Sequence, residues 1–257
     1  MGVTIPKTDK ALQQVLKELH LPTVRTLYPE QARMAERESL RYEDYLLELM
    51  EREHEVRRKN RITRLLRASK LPLEKSLAAF DRCRLPDRIN RHIEVLLDGS
   101  FLDRAENVLA FGNPGSGKTH LVCALGQELV HLGRKVLFST CGLLIQDLLR
   151  AKRELALGKA LKKLSRYDVL ILDDIGYVQQ SREEMEVLFT LLADRYERKS
   201  LMITSNLPFS QWEIIFKDAM TTAAAIDRLV HHSIILELNL PSYRLEESKR
   251  QKKKMEQ

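Results

Sequence analysis

A chain of 257 residues, 44% hydrophobic and 31% charged, can bury a full core in one or two domains and excludes a disordered or low-complexity polymer. The net charge of +7 and a pI near 9.3 suit either a polyanionic partner such as nucleic acid or a solvated basic surface. No apolar run approaches the roughly eighteen residues of a membrane span, and the N-terminus lacks the apolar stretch of a secretory signal, so a cytoplasmic protein with no membrane partner is expected.

Gly2 sits where a myristoylation site would start, but Pro6 stands where that site needs Ser or Thr. Cys83, Cys123 and Cys141 are odd in number and show no C-x-x-C spacing. They fit buried thiols in a reducing compartment better than disulfides or zinc ligands.

Along the chain, Leu12, Val15, Leu16 and Leu19 share one helical face, with Pro22 just beyond. A second helix is expected to begin near Pro29-Glu30, where proline suits the first turn. A longer one runs from Glu43 to Ala68, with Leu46, Leu49, Met50, Val56, Ile62, Leu65 and Leu66 recurring mostly at helical spacings. Nothing here alternates like a strand, so residues 1–70 are expected to form a helical N-terminal domain, separated near Lys70-Leu71-Pro72 from residues 71–257. The long helix carries a dense basic run, Arg57, Arg58, Lys59 and Arg61 on to Arg67. Such a run is either a solvated helix face or a contact for nucleic-acid phosphates.

After Leu73 the pattern changes. A helix with Ile89, Ile93, Leu96 and Leu97 on one face stops at Asp98-Gly99. Five short apolar runs then read as buried strands: Asn107–Phe111, Lys135–Thr140, Asp168–Asp174, Leu201–Asn206 and Ser233–Leu238. Helical segments separate them, and two carry capping boxes, Ser181 with Glu184 and Ser210 with Glu213. The fold class is therefore α/β, a five-stranded parallel sheet flanked by helices, after a small all-helical region.

The first strand runs into Gly112-Asn113-Pro114-Gly115-Ser116-Gly117-Lys118-Thr119, which satisfies G-x-x-x-x-G-K-[ST]. This P-loop wraps a triphosphate in backbone N–H groups, with glycines where the chain must turn tightly. Lys118 would reach the β and γ phosphates and the Thr119 hydroxyl would hold Mg²⁺. The third strand ends in Asp173-Asp174, the Walker B pattern, at the crevice where α/β sheets bind ligands. There Asp173 would hold the metal and Asp174 polarise the attacking water; otherwise the pair is only a helix-capping turn. Asn206, at the tip of the fourth strand, is a nucleotide sensor or an ordinary turn residue before Leu207-Pro208. Arg228 caps carbonyls, pairs with Asp227, or projects across a subunit boundary as an arginine finger. No Asn-Lys-x-Asp or Leu-Ser-Gly-Gly run occurs, which argues against a GTPase switch and an ABC ATPase.

The P-loop, Asp173-Asp174, Thr204-Ser205-Asn206 and Asp227-Arg228-Leu229 together resemble the AAA+ ATPases, in the initiator and helicase-loader branch that contains DnaA and DnaC. The fuller runs Gly112–Leu121, Leu170–Gly176, Thr204–Pro208 and Ala225–Leu229 resemble the IstB helper ATPases of bacterial insertion sequences. Leu21-Pro22-Thr23, Ser39–Leu49 and Ala68–Phe80 extend the resemblance over nearly the whole chain.

The resemblance implies an ATPase that uses ATP and Mg²⁺, forms homo-oligomers on duplex DNA, deforms it, and recruits or stimulates a transposase. Lys118, Asp174, Asn206 and Arg228 would be catalytic, with Arg228 acting in trans. Gly112 through Thr119 and His120 would contact the nucleotide, and Thr119 and Asp173 the metal. The segments from Leu143 to Leu164 match an insertion that faces DNA in the initiator branch. Lys152, Arg153, Lys159, Lys162 and Lys163 lie there, as DNA contacts or as a solvated face. Residues 239–257 are polar and charged, ending in the basic tail Lys249–Lys254, and a helical lid domain is not expected from them. That fits IstB and helicase loaders better than a DnaA-like initiator. The alternatives left are a DnaC-like loader that binds a replicative helicase through residues 1–70, and a DNA-binding scaffold whose nucleotide site is only structural.

Overall fold

The computed structural model describes residues 7–176, 181–216 and 218–243; the basic tail Lys249–Lys254 lies outside them. Two compact units appear, one ending at Arg64 and one beginning at Leu65. Among the described residues no helix is long and apolar enough to cross a membrane.

The first unit is helical. It holds α1 (Lys7–Glu18), α2 (Pro22–Glu38) and most of α3 (Tyr42–Ser69). Its core is small: Leu16, Val24, Tyr28 and Leu49, with Leu21, Leu27 and Tyr45 packed against them. Much of the apolar periodicity stays uncovered, since Leu12, Val15, Leu19, Leu46, Met50 and Val56 are all exposed.

The expected start of α2 near Pro29 is wrong by about two turns, because the helix begins at Pro22 and carries Pro29 in its interior. Either proline suits a first turn, where the missing N–H is not needed. Glu53 decides between them: its buried carboxylate accepts the N–H groups of Thr23 at 2.8 Å and Val24 at 3.2 Å. A carboxylate there satisfies orphan donors and complements the helix dipole. Arg57 binds the other oxygen at 2.7 Å.

In the second unit the end of α3 is followed by α4 (Asp87–Leu97), which buries Ile89, Ile93 and Leu96. Then follow β1 (Asn107–Gly112), α5 (Lys118–His131), β2 (Val136–Thr140), α6 (Cys141–Arg153), α7 (Leu157–Leu164) and β3 (Val169–Ile175). The order continues with α8 (Arg182–Arg195), β4 (Ser200–Ser205), α9 (Glu213–Phe216), α10 (Ala219–Val230) and β5 (Ser233–Leu238). All five expected strands are present, each within a residue or two of its expected limits, in one parallel sheet of order β2-β3-β4-β1-β5.

Leu109, Leu170, Leu172, Leu201 and Ile203 pack with α6, α8 and α10 on one face. On the other face α5 lies so close that a Cβ on Gly126 would meet the Ile171 side chain at 2.7 Å. β1 stands between β4 and β5, so the P-loop leaves the sheet beside the tip of β4, one strand from the tip of β3. That is the crevice where the strand order reverses.

The capping box at Ser181 forms, with Ser181 Oγ accepting from Glu184 N and Glu184 accepting from Ser181 N. The box expected at Ser210 does not. A 3₁₀ turn, Phe209–Gln211, occupies that stretch without a side-chain cap. Buried Trp212 stacks near Phe111 and Phe209 and donates its indole N–H to Leu207 O at 3.2 Å, which pins the turn. The next long helix, α10, is capped by Asp218 through Thr221 N at 2.6 Å. Cys123 and Cys141 are buried as expected, whereas Cys83 is exposed. Burial pushes the Cys123 thiol up to about 12, so it stays protonated.

Candidate nucleotide and catalytic site

The loop after β1 turns through left-handed backbone at Gly115 (φ 79°) and Gly117 (φ 98°), conformations that favour glycine. Gly117 then caps α5, whose N-terminus faces the loop and makes a natural anion seat. Lys118 is only 6% exposed, and its Nζ donates to Gly112 O at 2.7 Å and Asn113 O at 2.9 Å. Ser116 Oγ is buried and has no hydrogen-bond partner among the described residues. A buried hydroxyl, a lysine and a helix N-terminus around one loop suit a phosphate chain.

Across the cleft, Asp173 is buried at the end of β3. Its Oδ1 accepts from Thr119 Oγ1 at 2.8 Å and from Thr204 Oγ1 at 2.6 Å. This pair of hard oxygens, Thr119 hydroxyl and Asp173 carboxylate, fits Mg²⁺. Asp174, next to it, is exposed and sits at φ 58°. A non-glycine residue there is uncommon and clusters at functional sites. Asp174 and Asn206 both line the same cleft of about 440 Å³ as Pro114 through His120.

The other wall of the cleft was not legible as a site. Lys75, Ala79, Phe80, Asp81, Arg84, Leu240 and Tyr243 line it. Phe80 packs edge-on against His120, whose Nε2 is 2.9 Å from Ser76 O. The chain after β5 crosses the P-loop as a strap, with Tyr243 N donating to Gly115 O at 3.0 Å. Arg84 holds the strap by donating to Pro241 O at 3.2 Å and by lying over the Tyr243 ring. The aromatic ring count alone carries no such signal, because Phe80, His120 and Tyr243 come from before β1, the first turn of α5 and after β5.

Arg228 is not among the residues of this cleft. It lies on α10, half-buried, donating to Ala224 O at 2.9 Å and stacking over Phe189 of α8. Of the basic residues singled out, Lys152 pairs with Glu186 at 2.8 Å and Arg153 approaches Glu183 at 3.6 Å. Lys159, Lys162 and Lys163 stand exposed on α7. On α3, Arg57 pairs with Glu53 and Lys59 with Glu55, while Arg58 and Arg61 are exposed.

A family model described as IstB-like ATP-binding protein matches residues 14–252. An insertion-sequence ATP-binding protein of Sinorhizobium fredii is 43% identical over 231 residues, covering 90% of this chain and 78% of its own. The IS5376 insertion-sequence ATP-binding protein of Geobacillus stearothermophilus is 37% identical, covering 95% of this chain and 97% of its own. Among solved structures, the DnaC helicase loader superposes with a TM-score of 0.54 at 23% identity, over 64% of this chain and 96% of its own.

Proposed function

This chain belongs to the IstB-like ATP-binding family, the insertion-sequence helpers whose fold is that of DnaC-like AAA+ loaders, and on that premise we propose that it hydrolyses ATP between protomers assembled on duplex DNA and engages a transposase there. The observation that carries the reading is one cleft lined by the P-loop, Asp174 and Asn206, with Thr119 and Asp173 bonded at its floor.

Lys118, a hydrogen bond away from two P-loop carbonyls, exchanges them for the β and γ phosphate oxygens. Thr119 and Asp173 hold Mg²⁺, which supplies charge neutralisation on the phosphates. Asp174 polarises the water that attacks the γ-phosphorus, and the bond to the bridging oxygen breaks to release ADP and phosphate. Asn206, at the neighbouring strand tip, orients that water or the γ-phosphate. Arg228 completes the site of an adjacent protomer, a role that rests on the family resemblance of Asp227-Arg228-Leu229.

The DNA reading is supported by the exposed lysines of α7 and the net charge of +7. Because such residues meet phosphates, binding should be nearly sequence-blind and salt-sensitive. A helicase-loader role would use the same chemistry. The insertion-sequence relatives favour the transposition reading. The protein's working place is then the cytoplasm.

ATP turnover with and without duplex DNA tests the enzyme reading. Asp174→Asn is expected to keep ATP binding, slow hydrolysis and prolong DNA-bound assemblies. Absence of turnover in the wild type under both conditions would leave a nucleotide-stabilised DNA scaffold instead.

A further inference from the structure

The ladder between β3 and β4 pairs Leu172 with Ile203, loses register, and resumes with Ile175 opposite Ser205. The residues in the gap are Asp173 and Asp174, the two carboxylates of the site. A bulge of this kind re-aims side chains and leaves backbone groups without ladder partners. Here side chains of β4 take over. Thr204 is fully buried, and its Oγ1 accepts the Asp174 N–H at 2.8 Å while donating to Asp173 Oδ1 at 2.6 Å. Ser205, 1% exposed, donates from Oγ to Ile175 O at 3.1 Å and to Leu207 O at 3.0 Å.

One hydroxyl thus touches both acidic residues, and by different means. Toward Asp173 it is a second donor beside Thr119, fixing the carboxylate oxygen that faces the loop. Toward Asp174 it replaces a missing ladder acceptor, holding the backbone at φ 58°. Valine has nearly the shape of threonine but offers neither bond.

We propose that Thr204 is a positioning residue for ATP hydrolysis, whose hydroxyl holds the Asp173-Asp174 bulge so that the Asp174 carboxylate faces the nucleotide cleft. The proposal rests on the reading of Asp174 as the group that polarises water. It separates two functions of the site. The P-loop is built by β1 and α5, and Thr119 remains to hold Asp173 without Thr204, so nucleotide binding depends on Thr204 less than the hydrolytic carboxylate does.

The test compares wild type, Thr204→Val and Thr204→Ser as full chains. Turnover is measured with duplex DNA and affinity with a non-hydrolysable ATP analogue. Thr204→Val is expected to lower kcat by about tenfold or more, about 1.4 kcal/mol in the barrier, with analogue affinity within about threefold of wild type. Thr204→Ser, which restores the hydroxyl, is expected to recover most of kcat. Wild-type kcat in Thr204→Val overturns the proposal, as does a parallel loss of affinity and kcat that Thr204→Ser does not rescue.

Hydrogen exchange of the Asp174 amide in the wild type gives a readout that no folding defect can obscure. Protection like that of the β3 interior is expected, and free exchange overturns the proposal. If wild type turns over no ATP at all, the hydrolysis reading fails and the proposal with it. If wild type is active and Thr204→Val matches it, only the proposal fails.

Discussion

Arg195, at the end of α8, offers the sharpest stability test in the molecule. It is 2% exposed and donates to four backbone carbonyls: Leu164 at 3.2 Å, Tyr167 at 3.2 Å, Asp168 at 3.3 Å and Ser200 at 2.9 Å. Those carbonyls end α7, lead into β3 and open β4. One planar guanidinium therefore joins the DNA-facing segment of the resemblance to both strands that carry site residues. Burial pulls its pKa down to about 10, which still leaves it cationic at neutral pH. Arg195→Met fills much of the space but leaves the carbonyls without their donor. An unsatisfied buried acceptor costs ~1–3 kcal/mol, so leaving two or more of the four unsatisfied gives ~3–5 kcal/mol in all. At ~2–4 °C per kcal/mol for a domain of this size, the melting transition of the larger unit should fall by ~6–20 °C. Calorimetry of the full chain reads this directly. Arg198→Met, at an exposed neighbour, is the control and should stay within ~2 °C. If Arg195→Met melts with the control, the four bonds do not stabilise the fold and the account of Arg195 is wrong.

Lys118→Ala should weaken ATP binding by about tenfold or more, because a charge-assisted contact to the phosphates is lost; an unchanged dissociation constant in a nucleotide titration would remove that role. Arg228→Ala should be inactive alone and regain turnover when mixed with Lys118→Ala, since each would supply what the other lacks across a shared site; a mixture as inactive as its components refutes action in trans. Glu53 makes the helical unit acid-sensitive. Burial pushes its carboxyl up, but Arg57 and the Val24 and Thr23 N–H groups outweigh this and leave it below its ordinary value of 4.5. A lowered folded pKa means the stabilisation is complete above the unfolded value and is lost as the pH falls through the folded one. Circular dichroism of wild type and Glu53→Gln across the acid range should therefore converge at low pH, and parallel curves would contradict the linkage.

Local patterns announced the sheet and the phosphate loop because both are written in short windows. A buried parallel strand is a run of apolar residues, and the P-loop needs glycines at fixed offsets. Asp173 and Asp174 were legible for the same reason, as a carboxylate pair ending such a run. What stayed hidden depends on partners far along the chain. Pro22 read as lying just past the first helix and Pro29 as opening the second, until Glu53 made Pro22 the start. Ser210 and Glu213 had the right spacing for a capping box, but Trp212 reached Leu207 first. Arg195 reads as an ordinary helix-end arginine until α7 and two strands bring four carbonyls to it. Thr204 stood in the Thr-Ser-Asn run only as the neighbour of Asn206. The register shift beside it is what gives its hydroxyl two carboxylate-bearing residues to hold.

The glycines of the P-loop also carry more than the motif implies. Their spacing is ordinarily explained from inside the cleft, by the approach of phosphates. From outside, a Cβ on Gly112 would collide with the Leu238 carbonyl at the end of β5, and one on Gly115 with the Ser242 side chain. Gly115 also accepts the Tyr243 N–H through its carbonyl. At Gly112 and Gly115 the loop is thus pressed against the end of β5 and the strap that follows it, with no room for a Cβ at either position. Two demands of different origin fall on the same positions, one chemical and one architectural. A substitution at Gly115 would be felt at the phosphates and, through Tyr243 and Arg84, at the opposite wall of the cleft. The strap and the loop are therefore joined directly, through the Tyr243 N–H on Gly115 O, apart from the carboxylates at the strand tips.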